Sequence, residues 1–588
     1  MKLLLIRPED DLLDGPWVGR GWNRIVDLGR GGISTYEQAA ARYACPVGFL
    51  DEMRDSYKEI YRTRELLRLG LGRLTDRWGL DWWELTALLI HQQIETILLL
   101  HKLARSIGSK DDVHVSGPGF HAEALRLILG RRIEVFPSRQ PRRGAGHYFR
   151  TFHKFPLSQL LEIFWDKTDP SYQVRGYVSR RRKPRNGEIV LLPTAYINVS
   201  RTGIAYARSL PQVQFLLVST RRSGWISDRP ANVAAEWLRS YASVHSHERR
   251  CESQELLVQW VALRKELEDV AEFRTISECG YFDNFPYHFA RGLEIRDAWR
   301  NVFNSESVGA VLCADDSNRY THIPLLLANK RGMRTISCHH GALDGRYMIK
   351  QPHANFILAK GKMEMDYLTR LCQVPAERVV IGAPSIASGK SERPDIDNRR
   401  LVVFFSEPYE TTSGRAADVY GDILPSLSNL VAKEGRELMV KLHPAESVTE
   451  RRAVIDRILP PEQRRNVILT KEPLSPKLLD RAWFGITVLS TVVLECALRK
   501  VPCFLCKWLE SSPYGYVDQF TRFGLGIRLN DPTEIEKIPV RLRAADTQPQ
   551  YANYWQELEE NQLRILLYPS EQMQPATHAT GSAWHDAE

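Results

Sequence analysis

The sequence predicts an α/β fold made of two Rossmann-like, doubly wound domains that face each other across a crevice. Three observations predict it. Short apolar runs alternate with helical patterns over most of the 588 residues, which is how parallel sheets covered by helices read. The alternation falls into two series, parted by the polar stretch Gly389-Lys-Ser-Glu-Arg-Pro-Asp-Ile-Asp-Asn398, whose chemistry is that of a linker. Hydrophobic residues make up 43% and charged residues 26%, with 37 Gly and 32 Pro. That balance excludes disordered, collagen-like and fibrous chains, and the length can bury a large core.

The first series opens at Met1-Lys-Leu-Leu-Leu-Ile6, a strand that soon meets charge. Val113 to Ser116 is the next clear strand, followed by Gly117-Pro-Gly119, a helix from Phe120 to Leu129, and a strand from Ile133 to Phe136. Residues 45–108 read as helices inserted into this unit. Their apolar stretch from Trp82 to Leu103 carries Glu84, His91, Gln92, Gln93 and Glu95, so it is a buried amphipathic helix and not a membrane span. Ile189 to Leu192, Phe215 to Val218, Val308 to Cys313 and Thr335 to Cys338 continue the strands, with a helix near Ile323 to Lys330. The second series runs through Leu401 to Phe405, a helix from Ile423 to Ala432, Leu438 to Leu442, Asn466 to Leu469, Trp483 to Leu489, a helix from Val492 to Arg499, and Val501 to Cys506. The expected organisation is one domain over 1–385 with its insertion at about 45–108, a second over 386–545, and a C-terminal region over 546–588 that holds a helix at about 551–567 and a disordered tail around Pro575 to Ala583. Because open doubly wound sheets bind ligands outside the carboxyl ends of their strands, the functional residues are sought there.

Composition limits the partners. The net charge of +9, from 80 Lys+Arg against 71 Asp+Glu, is modest for this length. The densest basic run, Arg180-Arg-Arg-Lys-Pro-Arg185, has no interleaved aromatics, so it suits a solvated linker or anionic lipid headgroups and not stacked bases. No nucleic-acid partner is expected. Nine scattered cysteines, with Cys503 and Cys506 as the C-x-x-C pair inside an apolar run, point to a reducing compartment and complete no zinc set. No metal and no cofactor are expected. With no apolar signal segment in view, the expected location is cytoplasmic.

Four strand ends carry candidate chemistry. Lys441-Leu-His-Pro444 closes one strand; Pro444 stops the ladder and His443 is aimed into the crevice. Ser490-Thr491 lies between a strand and a helix, where hydroxyls and free N–H groups suit a phosphate as well as plain capping. Glu495, one turn further on, is placed to reach a ribose hydroxyl. Cys338-His-His-Gly341 puts His339 and His340 at a strand end in the first domain, where a neutral imidazole suits a general base. Asp315-Asp316-Ser317 reads first as helix capping; a metal-binding role is weaker, since spacing fixes no third ligand, and both acids stand as catalytic candidates. Glu407 and Arg415 lie on the same crevice edge as His443, Arg415 as a phosphate partner. Gly29-Arg-Gly-Gly32 and Gly117-Pro-Gly119 lack the full dinucleotide fingerprint, and neither a Walker A run nor a G-x-S-x-G elbow is present.

The stretches Thr335-Ile-Ser-Cys-His-His-Gly341, Ala354-Asn-Phe-Ile-Leu-Ala-Lys-Gly361 and Val374 to Pro384, followed by His443-Pro444 and Ser490-Thr491, resemble GT-B glycosyltransferases. More narrowly, they are similar to bacterial surface-polysaccharide transferases that use CDP-glycerol, CMP-sialic acid or CMP-Kdo. The resemblance spans roughly residues 308–510. It implies a cytidine nucleotide held by His443, Pro444, Ser490 and Thr491, and His340 as the base. Lys441, Glu495, Glu407 and Arg415 join the nucleotide site, and His339, Asp315 and Asp316 the catalytic group, on their strand-end positions alone. The first domain would take a glycan or lipid-linked acceptor and the second a cytidine- or uridine-linked nucleotide-sugar donor, with capsule or other surface polysaccharide as product. The Arg pairs and the basic run at 180–185, with no membrane span, suggest peripheral attachment to an anionic membrane surface. The rival readings are a nucleotide-sugar epimerase or hydrolase of the same architecture, and a catalytically silent scaffold for glycan assembly; fold does not separate them.

Overall fold

The computed structural model describes residues 1–137, 187–242, 246–385, 399–412, 414–543 and 553–568. The basic run at 180–185, the polar stretch at 389–398 and the tail beyond 568 lie outside these. The described chain is α/β, with parallel sheets packed between helices, as expected. Residues 1–385, expected to form one unit, contain two sheets instead of one.

The first sheet is built from β1 (Lys2–Ile6), β2 (Arg24–Asp27), β3 (Val47–Phe49), β4 (Asp112–Val115) and β5 (Glu134–Val135), in the order β3-β2-β1-β4-β5. The second contains β6 (Ile189–Thr194), β7 (Gln214–Ser219), β8 (Val233–Trp237), β9 (Val308–Cys313), β10 (Arg334–Cys338), β11 (Phe356–Ala359) and β12 (Val379–Ile381), in the order β12-β11-β10-β9-β6-β7-β8. The third contains β13 (Leu401–Phe405), β14 (Glu437–Lys441), β15 (Val467–Thr470), β16 (Ala482–Thr487), β17 (Cys503–Cys506) and β18 (Ile527–Leu529), in the order β15-β14-β13-β16-β17-β18. Each sheet is parallel and winds outward both ways from its first strand, so each has one switch point: β1/β4, β6/β9 and β13/β16. Every residue of β6, β13 and β16 is buried, the continuous apolar reading that strands covered on both faces require.

The switch point of the second sheet opens for a local reason. The ladder from β6 to β9 ends at Leu191–Val311. Pro193 follows with no N–H to continue it, and the strands part there.

Helices fill the layers. The stretch expected as one helix from Trp82 to Leu103 is two, Trp82–Ala87 and His91–Arg105. Asp81 caps the first by accepting from the Trp83 and Glu84 N–H groups at 2.9 and 3.3 Å. Two buried ion networks lock the first sheet's unit to the others. Arg296, 1% exposed, donates to Asp76 at 2.7 Å and to both oxygens of Glu252 at 2.6 and 2.7 Å. Arg415 pairs with Asp27 at the end of β2 and with Asp418. In addition, Asp422 accepts from Ile33 N–H, Ser34 N–H and the Trp508 indole, so a carboxylate beside the third sheet caps the helix Ile33–Tyr43 of the first. The segment 553–558 then returns to the edge of the second sheet, where Ala383 N–H donates to the Gln556 carbonyl at 2.7 Å and Leu558 N–H to the Ala383 carbonyl at 2.8 Å. The helix Glu560–Leu567 packs its Leu563 and Leu567 on that sheet's core. The terminal helix expected over about 551–567 is therefore shorter and begins with extended chain.

Candidate functional site

The carboxyl ends of the second and third sheets meet. A methyl group placed on Gly341 would come within 3.2 Å of Thr491 Cγ2, and Lys360, just past β11, acts electrostatically on Glu495. Two polar clusters face each other there.

The first cluster sits at the β6/β9 switch point. Tyr196, which follows β6, donates its hydroxyl to Asp315 Oδ2, just past β9. Asp315 also accepts from Ser317 N–H at 2.9 Å and Asn318 Nδ2 at 3.1 Å. The His340 ring stands edge-on to Tyr196, centroids 5.2 Å apart, with Nδ1 at 3.5 Å from the Tyr196 oxygen. Because the Tyr196 proton is committed to Asp315, its oxygen offers only a lone pair to the imidazole. That favours the tautomer with the proton on Nδ1 and leaves Nε2 of His340 as a free base. Burial holds His340 below the ordinary imidazole range, with Asp315 and Asp344 acting against it, so the ring is neutral at pH 7. His339 is more deeply buried and is pushed down further by that burial. Its Nδ1 accepts from Gly341 N–H at 3.2 Å, which shapes the turn.

Under these rings lies a buried charge network absent from the sequence reading. Lys350 joins Asp316 to Asp344, the latter at 3.0 Å, and Arg346 Nε donates to Asp344 at 2.9 Å. Burial works to raise Asp344, yet Arg346 and Lys350 hold it well below the usual carboxylate range. Lys360 Nζ donates to the His339 carbonyl at 2.6 Å. Asp316, expected beside the catalytic group, is thus occupied by Lys350 and by the Tyr347 hydroxyl at 3.2 Å.

The second cluster sits on the third sheet. His443 is exposed past β14. Its Nδ1 accepts from Ala445 N–H at 3.1 Å, and its own backbone N–H donates to Glu446 Oε2 at 2.7 Å. With Nδ1 used as an acceptor, the neutral ring carries its proton on Nε2, a donor turned toward solvent. Pro444, also exposed, ends the strand. Buried Glu446, which no sequence motif marks, organises this loop by accepting from Ser406 Oγ and Arg451 Nε, both at 2.7 Å. At the β13/β16 switch point Glu407 Oε1 accepts from Thr487 Oγ1 at 2.9 Å and Leu489 N–H at 3.0 Å. Burial pushes Glu407 up to about 7. Thr491 precedes the helix Val492–Leu498 without making a capping bond, and Ser490 Oγ accepts from Val492 N–H at 3.4 Å. Glu495 opens to solvent, yet enough protein surrounds it to push its carboxyl up to about 7.

Two expected phosphate partners are engaged elsewhere. Arg415 is committed to Asp27 and Asp418, and the Lys441 ammonium is buried against the Leu442 carbonyl at 2.8 Å. The switch point of the first sheet, with Gly117-Pro118-Gly119, is filled by Arg7, whose guanidinium reaches Asp10 at 2.7 Å and the Pro118 carbonyl. Two acid or histidine groups of metal-ligating type also come together: Asp315, Asp316 and Asp344, and separately Glu84, His322 and His353. Asp344 lies far along the chain from Asp315 and Asp316, as Glu84 does from His322 and His353, so spacing reveals neither full set.

No protein-family model and no curated protein matches the chain. Solved structures do. A UDP-GlcNAc 2-epimerase from Methanocaldococcus jannaschii is 12% identical, with 64% of this chain and 98% of that one covered and a TM-score of 0.40. The calicheamicin glycosyltransferase is 15% identical, covering 65% and 93%, with a TM-score of 0.32. A Phytolacca americana protein solved with UDP-2-fluoro-glucose and pterostilbene is 12% identical, covering 65% and 94%, with a TM-score of 0.36. At these values the likeness carries no argument about the reaction, and the architecture rests on this chain's own sheet topology. Among the described residues, no helix is long and apolar enough to cross a membrane.

Proposed function

We propose that the chain is a transferase that moves a glycosyl or polyol-phosphate group from a nucleotide-activated donor to a hydroxyl acceptor. The Asp315–Tyr196–His340 series carries this reading, because it turns a free, neutral imidazole nitrogen into the crevice from the half opposite His443. His340 Nε2 takes the proton of the acceptor hydroxyl as that oxygen forms its bond to the donor carbon or phosphorus. The donor's bond to its nucleotide breaks, and the nucleotide leaves with the electron pair. The donor lies on the third sheet. His443 Nε2–H, Ser490 and Thr491 hold its phosphate, and Glu495 reaches the ribose. Asp315 is a positioning residue, acting through Tyr196. The resemblance to capsule-type transferases supports a cytidine-linked donor, a growing surface glycan as acceptor, and work at the cytoplasmic membrane face.

The test is a panel of CMP, CDP, UDP, GDP and ADP in thermal-shift measurements, followed by transfer assays with labelled donor. A nucleotide that binds the native state raises the melting point by mass action. Stabilisation by a cytidine nucleotide together with acceptor-dependent transfer is expected. Conversion of the donor sugar without acceptor would replace the transferase by an epimerase. No binding and no transfer would leave the scaffold.

A further inference from the structure

We propose that Glu84, His322 and His353 form a binding site for one divalent transition-metal ion of the zinc class, which clips the helix Trp82–Ala87 onto the second sheet's unit. The three ligand atoms, one from each residue, lie within 4.8 Å of one another. They come from three separate parts of the chain: Glu84 from the helix that Asp81 caps, His322 from the helix Arg319–Lys330, and His353 from the segment ahead of β11.

His322 decides the reading. It is 4% exposed, and its Nδ1 lies 2.6 Å from the Asp316 carbonyl oxygen. A carbonyl only accepts, so Nδ1 carries the proton and Nε2 presents a lone pair. That Nε2 is buried without a hydrogen-bond partner and points at Glu84 Oε1, 4.0 Å away. A buried lone pair facing a carboxylate oxygen is unfavourable unless a cation stands between them. An imidazole that binds metal through one nitrogen and gives its other N–H to a backbone carbonyl is the usual outer arrangement of a histidine ligand. His353 Nε2 meets the same Glu84 oxygen directly, and the two imidazole centroids are 5.4 Å apart.

The surroundings hold the donors in place. The His353 carbonyl accepts from Asn329 Nδ2 at 2.9 Å, tying it to the helix that bears His322, while Arg378 donates to the Pro352 carbonyl at 2.8 Å and to the Ala354 carbonyl. Two imidazoles and one carboxylate match the borderline donors that zinc takes at ~2.0–2.2 Å, with ligand atoms about 3.3 Å apart around a tetrahedral ion. Binding needs the Glu84 carboxylate to draw back from His353 and toward His322. The Nε2 proton of His353 passes to solvent or to Nδ1, freeing the lone pair that coordinates.

The test uses the full chain, stripped with chelator and titrated with zinc by calorimetry and by melting, with cobalt as a spectroscopic stand-in. The wild type is expected to take up one equivalent, melt at higher temperature, and show the visible bands of tetrahedral cobalt. His353→Ala removes a part-exposed ligand and should weaken zinc binding by more than the roughly 10–100-fold that loss of an outer-shell partner costs. If that variant fails to fold, Glu84→Gln keeps the size of the side chain and should lose the ion likewise. His443→Ala should retain it. A metal-free wild type that zinc neither binds nor stabilises overturns the proposal, as does undiminished affinity in folded His353→Ala or Glu84→Gln.

Discussion

Tyr196→Phe removes one oxygen and tests how His340 is oriented. The fold should survive, because Asp315 keeps Ser317 N–H at 2.9 Å, Asn318 Nδ2 at 3.1 Å and the Arg346 guanidinium at 3.7 Å. What disappears is the hydroxyl that donates to the carboxylate and accepts from His340. A hydrogen bond to a charged group contributes about 1.5–3 kcal/mol. If that stabilisation acts on the base during proton transfer, turnover falls roughly ten- to a hundred-fold, with nucleotide affinity unchanged. The pH profile should change as well. In the wild type His340 is held below the ordinary imidazole range by burial, so activity stays level through pH 7 and drops only as acid protonates the ring. Without the Tyr196 hydroxyl the ring loses the oxygen that lies 3.5 Å from its Nδ1, and its two tautomers become comparable. The assay is kcat against pH with labelled donor at saturating acceptor, alongside calorimetry with the nucleotide. Wild-type turnover and an unchanged profile in Tyr196→Phe would refute the orienting role.

Other consequences are equally direct. His443→Ala should weaken nucleotide binding by about ten-fold or more, through loss of a hydrogen bond to a charged phosphate, and calorimetry reads it. Arg415→Ala leaves buried Asp27 without its cation, so urea unfolding should show a loss of about 3–5 kcal/mol; unchanged stability with weakened nucleotide binding would return Arg415 to the site. Burial, aided by the Arg319 guanidinium at 2.7 Å, holds His288 down at about 3, against 6.5 in the unfolded chain. Its stabilising effect is therefore present above about pH 6.5 and lost as the pH falls toward 3. At about pH 5 the loss is on the order of 2 kcal/mol, and His288→Gln should remove it in urea titrations at the two ends of that range.

Much of the strand framework is legible in the sequence. Val308–Cys313 and Leu401–Phe405 lie where the apolar runs place them, and the helix Phe120–Leu129 fills its predicted span. These segments are buried on a face or on both, so hydrophobic patterning carries their signal. Which strands share a sheet is not patterned in that way. The first sheet has its own switch point although its β3 and β5 are only three and two residues long, too short to register as a series. The helix Ile197–Arg208 is not legible in the sequence, because Asn198, Ser200, Arg201, Thr202 and Gly203 dilute its apolar stripe. In the site, His340 and His443 are legible because Gly341 and Pro444 punctuate their strand ends. Tyr196 and Glu446 are not, since their partners lie 119 and 40 residues away. Tyr196 does lie just past the strand that ends at Thr194, and that position is the one signal the sequence carries for it. Arg415 misleads for the opposite reason: a guanidinium on a crevice edge reads as a phosphate partner until Asp27, 388 residues earlier, is placed against it.

The central claim divides the labour between two histidines on opposite halves: His340 moves the proton and His443 holds the nucleotide. Transfer rate and nucleotide affinity measured together in His340→Ala and His443→Ala test it most directly. The account predicts that His340→Ala binds nucleotide as the wild type does while turnover falls roughly 10²–10⁴-fold, and that His443→Ala loses affinity. Full transfer activity in His340→Ala, or unaltered nucleotide affinity in His443→Ala, would contradict it.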